Sequence, residues 1–201
     1  MPTPHEFTAD QAEAATDFVV AHGAEDRGQK AYSWHGSTGQ LVICSRRSLV
    51  ELAAVLPATG RFVVARLDGK RMADADHAFY EFSDALHFPG YFGWNWNALF
   101  DCLRDLHWIP ADGYLIVVEN APCLLSSSAE DQRTLFRILS WAVERWANPL
   151  GRPGGKGVPF KVLLLCDRDD EATVLAQEVA RALHSGRPLP GQASVEAPGR
   201  R

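Results

Sequence analysis

The chain has 201 residues, 46 % hydrophobic and 22 % charged, which excludes wholesale disorder and suits one domain with an extension. No apolar run approaches the roughly 20 residues that span a bilayer, and the first residues lack the basic and apolar regions of a signal peptide. The four cysteines are scattered without CxxC spacing and the net charge is −5, so reduced thiols in a cytoplasmic protein are expected, with no disulfide framework, zinc site or nucleic-acid partner.

Residues 1–7 carry no pattern. Thr8 and Gln11 form a capping-box pair, which predicts a short helix to about Ala21. Ala31–His35 and Gln40–Cys44 read as strands joined by Gly36-Ser37-Thr38-Gly39, a hairpin candidate. Ser48 and Glu51 are a second capping box, opening a helix that Pro57 ends. Arg61–Leu67 is a predicted strand and Asp68-Gly69-Lys70 a turn. Asp74 to Leu86 is predicted helical, with Ala75, Phe79, Phe82 and Leu86 one turn apart. A helix from Asn95 to Leu106 follows, then a strand over Tyr114–Glu119. Ser128 to Ala147 is a long helix with Leu135, Ile138, Leu139, Ala142 and Trp146 inward. Phe160–Cys166 is a near-continuous apolar strand, as expected of one buried on both faces. Glu171 to Leu183 is the last helix, and the Gly-, Pro- and Arg-rich residues 185–201 read as a disordered tail.

From Arg61 onward, strands and helices alternate, which predicts a small three-stranded parallel sheet flanked by helices. The expected organisation is an N-terminal α+β extension over 1–60, an α/β domain over 61–184 and the tail over 185–201.

Charge is unevenly distributed. Between Asp74 and Glu119 there are eight acidic residues, with Arg104 the single Lys or Arg, a net of −7. Such a field steers cationic partners. Inside it lies Pro89-Gly90-Tyr91-Phe92-Gly93-Trp94-Asn95-Trp96-Asn97-Ala98-Leu99-Phe100-Asp101-Cys102-Leu103. At helical spacing Trp96, Leu99, Phe100, Leu103 and Leu106 share one face, while Asn97, Asp101, Arg104 and Asp105 fall on the other. Asn95 is a candidate N-cap. Tyr91, Phe92 and Trp94 cannot all be buried by so short a loop, and an exposed ring beside a carboxylate is typical of a protein-binding hot spot.

This segment, preceded by Leu67-Asp68-Gly69-Lys70 and a helix, resembles the barstar family of intracellular ribonuclease inhibitors. Pro89, Tyr91, Phe92, Gly93, Asn95, Ala98, Leu99, Phe100, Asp101, Cys102 and Leu103 fit the family hallmark without a gap. The order of predicted elements also fits, and the resemblance covers about half of the chain. It implies a barstar-like fold and an immunity or antitoxin role. The aromatic loop and the next helix would plug a cationic ribonuclease cleft, with a carboxylate mimicking phosphate through charge-assisted hydrogen bonds. The resemblance makes Asp101 the central acid and Tyr91 and Asn95 contact residues. Asn97 stands where a second acid is found in the family. A family Glu on the later helix falls here on Ser140 or Trp141, with Glu144 one turn away. The depleted acids point to a divergent cationic ribonuclease or toxin rather than barnase itself. The expected partner-binding set is Tyr91, Phe92, Trp94, Asn95, Asn97, Asp101 and Asp105, with no cofactor, no metal, no membrane and a monomer when free.

Other chemistries fare worse. Cys102, His107 and a nearby Asp could be imagined as a nucleophile set, but positions 102 and 107 are about 140° apart on a helix and Cys102 leans to the apolar side. The seven histidines show no HxxxH or HExxH spacing. Base stacking on the aromatic loop is opposed by the charge around it. The competing function is a barstar-like interaction module for a cationic partner that is not a ribonuclease.

Overall fold

The computed structural model describes residues 39–46, 60–147 and 158–184, together with the backbone of a two-residue strand, β1 (Glu6–Phe7). Four longer strands follow in the chain: β2 (Gly39–Ser45), β3 (Phe62–Asp68), β4 (Gly113–Glu119) and β5 (Phe160–Cys166). They form one sheet in the order β1-β3-β4-β5-β2. The pairs β3–β4, β4–β5 and β5–β2 are parallel, and β1 runs antiparallel to β3. The expected three parallel strands are therefore four, with a short antiparallel strand at one edge.

The added parallel strand is β2, registered from Gly39 opposite Phe160 to Ser45 opposite Cys166. Local reading pairs a strand with its sequence neighbour. Here the open edge of β5 supplies the partner, more than a hundred residues along the chain, and so satisfies its own unpaired backbone groups. Side chains fasten the carboxyl end of β2 as well. The Ser45 hydroxyl donates to Asp169. Arg46 reaches Glu119 at 3.0 Å and Asp167 at 3.1 Å, joining the ends of β2, β4 and β5. The hairpin strand expected over 31–35, the helices expected over 8–21 and 48–55, and the tail lie outside the described residues.

The helices are α1 (Ala75–Ala85), α2 (Trp96–Leu103), α3 (Ala129–Ala147) and α4 (Asp169–His184). Three start on side-chain caps, at Asp74, Asn95 and Ser128, of which Asn95 is the one expected from the sequence. Asp74 accepts from the His77 amide at 3.0 Å, and Ser128 accepts from the Asp131 amide at 3.2 Å. Helix α2 stops at Leu103, three residues short of the expected end, because Leu106 turns left-handed at φ 49° and sinks into the core.

The four helices bury Phe79, Phe82, Leu99, Leu103, Phe136, Leu139 and Leu175 in one cluster with Ala65, Leu67, Ile116, Val118, Val162 and Leu164 of the sheet. Every position of β5 is buried, Lys161 included, as expected of a near-continuous apolar strand covered on both faces. A close backbone approach explains Gly69 at the end of β3. A Cβ there would come within 2.4 Å of the Asn120 carbonyl oxygen, so only glycine fits. Among the described residues no helix is long and apolar enough to cross a membrane.

Candidate protein-binding site

The loop between α1 and α2 is organised around one buried ring. The Phe92 amide donates to the Pro89 carbonyl at 2.9 Å, closing a turn. Its side chain, 5 % exposed, packs edge-on against Phe79 and Phe88 at centroid distances of 6.3 and 4.9 Å. The flanking rings are left outside, with Tyr91 66 % and Trp94 55 % exposed. Phe92 thus anchors the loop from below and offers almost no surface to a partner.

Trp94 is held in the left-handed region at φ 51°, which costs about 1–2 kcal/mol for a residue with a Cβ. Two contacts impose it. The ring lies 5.1 Å from Phe92, and the next residue is fixed by both ends of its amide. Asn95 accepts from the Ala98 amide at 3.0 Å and donates to the Gly93 carbonyl at 2.9 Å. It therefore caps α2 and closes the loop onto it at once.

Helix α2 divides as its spacing predicts. Leu99, Cys102 and Leu103 are buried. Trp96 is half-buried, edge-on to Phe79 at 4.7 Å, and its indole N–H donates to Asp131 at 3.2 Å. Phe100 leans on Trp141 of α3 at 6.1 Å. Asn97, Asp101, Arg104 and Asp105 are exposed on the opposite side. The Asp101 side chain is 61 % exposed and meets Arg104, one turn on, at 3.0 Å. Arg104 itself lies over the Phe100 ring at 5.6 Å. Asp105 pairs with His107 at 2.7 Å.

Tyr91, Asp101, Cys102, Arg104, Asp105, Trp108 and Arg145 line a depression of about 400 Å³. It brings together three of the expected residues, Tyr91, Asp101 and Asp105. Trp94, Asn95 and Asn97 lie exposed on the same loop and helix but do not line it. Trp108 and Arg145 were missed by sequence reasoning. Trp108 is fixed by its N–H, which donates to the Leu86 carbonyl at 2.9 Å. Arg145 sits in the last turn of α3, four residues after the Trp141 that faces α2. That spacing is the signal that could have found it.

The cysteine in the depression is no nucleophile. Burial, with Asp101 and Asp105 adding to it, pushes the Cys102 thiol up to about 11. A thiol activated for attack moves the other way. Among the described residues no group of His, Cys, Asp and Glu is arranged to hold a metal ion. The acidic field is also softer than the sequence count suggests. Glu81 pairs with Arg71 and Glu119 with Arg46, two cations from outside the stretch, while Asp101 pairs with Arg104, and Asp74 and Asp105 meet the His77 and His107 rings.

A protein-family model described as Barstar (barnase inhibitor) matches residues 62–165, from the first residue of β3 to the penultimate residue of β5. The chain belongs to the barstar family. The barstar match holds the whole loop and α2, so the depression lies on family structure, whereas β2 lies outside the matched segment. No curated protein gives a significant match. Members of the barstar family are inhibitors, and the role that follows for this chain is a protein-binding one.

Proposed function

We propose that this barstar-family protein works inside the cell as an antitoxin or immunity protein, masking the active site of a ribonuclease-type toxin. The observation that carries the reading is the placement of Asp101. It stands exposed at a depression that it shares with the outward ring of Tyr91, on the helix that follows the exposed Trp94.

A ribonuclease site is a cationic cleft shaped for a phosphodiester. A carboxylate carried into it by a rigid helix accepts the same charge-assisted hydrogen bonds that the phosphate would. The helix is rigid because Asn95 caps it and Leu99, Cys102 and Leu103 pin its inner face. Arg104 holds Asp101 in the free protein, but the pair is solvent-exposed and therefore weak, so a partner's guanidinium displaces it at small cost. Tyr91 and Trp94 supply large, ordered apolar contact around the carboxylate. Asn97 hydrogen-bonds where a second charge would otherwise stand. The free protein is a monomer in this reading.

The test is inhibition of a panel of small secreted ribonucleases by the purified protein and by Asp101→Ala. Inhibition that disappears in the variant supports the mechanism. Inhibition unchanged in the variant rejects the phosphate-mimic role. Failure to inhibit any enzyme turns the reading toward an interaction module for a different cationic protein. The pairing of Glu81, Asp101 and Glu119 with arginines of the same molecule favours that second reading, since it leaves less free charge to match a strongly cationic cleft.

A further inference from the structure

The rim of the depression carries charge of both signs. Asp101 and Asp105 already have partners within the molecule, Arg104 at 3.0 Å and His107 at 2.7 Å. Arg145 arrives from a different element, the last turn of α3, and is exposed at the same depression. Among the described residues it makes no ion pair. Its guanidinium is therefore not consumed in neutralising the two carboxylates and stays open to a partner.

A purely cationic partner surface would be repelled by such a group. The complementary surface is instead a cation facing Asp101 with an anion beside it, facing Arg145. Ribonuclease chemistry provides that combination. Cations hold the phosphate, and a base must take the proton from the attacking 2′-hydroxyl. Where that base is Asp or Glu, a carboxylate lies next to the phosphate-holding cations. Planar, five-donor arginine is the side chain best suited to grip a carboxylate bidentately.

We infer that Arg145 binds the carboxylate base of the target ribonuclease, so that this protein selects enzymes with a carboxylate base over those with an imidazole base. The inference rests on the proposed masking of a ribonuclease active site and deepens it by naming which ribonucleases fit. Arg145 thereby acts as a specificity residue on α3, at the same depression as the phosphate-mimicking Asp101 of α2.

The experiment measures binding of the full-length protein to secreted ribonucleases of both classes by titration calorimetry. Asp101→Ala, Arg145→Ala and Arg145→Glu are run beside the parent. Arg145→Ala is expected to weaken binding about threefold, the scale of one partly exposed ion pair. Arg145→Glu, which sets like charges together, is expected to weaken it roughly 10- to 100-fold. The alanine variant keeps the helix, and a thermal melt of each variant separates binding from folding. Replacing the base of the ribonuclease by its amide should abolish the difference between Arg and Ala at position 145. Unchanged or tighter binding by Arg145→Glu, with Asp101→Ala still damaging, overturns the role of Arg145 and leaves the masking function standing. Tightest binding to an imidazole-base enzyme overturns it equally. Indifference to Asp101→Ala, or no binding to any ribonuclease, overturns the masking function and this inference together.

Discussion

At the scale of single residues, exposure and pairing separate groups that the sequence lists side by side. Asp101 is expected to matter greatly for binding and hardly at all for folding. Its alanine variant should lose about 2–5 kcal/mol of affinity for the target ribonuclease, the cost of stripping one partner from a desolvated charge pair. Its melting temperature should stay near that of the parent, because the pair with Arg104 is solvent-exposed. An inhibition titration and a thermal melt check both halves. Cys102 is the counterpart. With its thiol pushed up to about 11, roughly one molecule in a thousand carries the thiolate at pH 8. Alkylation followed by peptide mapping should leave Cys102 unmodified in the native protein and modify it readily in denaturant. Rapid labelling of native Cys102 would revive the nucleophile reading. Phe92 and Tyr91 make the same point about neighbours, one buried and the other exposed, although the sequence presents them as an aromatic pair.

At the scale of elements, α2 shows how far local rules reach. Its cap, its apolar face and its outward Asp101 all follow from spacing within a few residues, and each agrees with the structure. Asn95→Ala removes the cap to the Ala98 amide and the tie to the Gly93 carbonyl together. It should destabilise the protein by about 1 kcal/mol, measured by urea unfolding, and by less to the extent that the loop strain at Trp94 relaxes with it. Affinity should fall too, since Trp94 and Tyr91 lose their fixed positions. The same local reasoning fails for β2. Its strand character is visible in Gln40–Cys44, but a partner in β5 is not, because pairing depends on which sheet edge is open once the remaining strands have assembled. It fails for the end of α2 as well, where burial of Leu106 overrides helical continuation.

At the scale of the whole molecule, the acidic stretch acts as a field rather than as a set of contacts. Association with a cationic ribonuclease should slow as salt rises from about 10 to 150 mM, where the screening length shortens from about 30 to 8 Å. Stopped-flow rates check this, and a rate flat across that range would remove the acidic surface as the docking face. The slope should be gentler than a net of −7 implies, because Arg71 and Arg46, from outside the stretch, pair with Glu81 and Glu119 and Arg145 adds positive charge at the rim.

The amino-acid sequence alone determined the elements from β3 to α4, the cap of α2, the buried side of Cys102 and the family to which the motif belongs. Those properties are carried by residue type and spacing over one or two turns. Tertiary structure alone decided that four rather than three of the described strands run parallel, that Phe92 is the ring turned inward, and that Arg145 lines the same depression as Asp101. The reason is one of distance along the chain. Phe92 is buried because Phe79 of the preceding helix receives it. Arg145 reaches the site because Trp146 beside it donates to the Leu103 carbonyl, 43 residues away, and clamps the end of α3 against the end of α2.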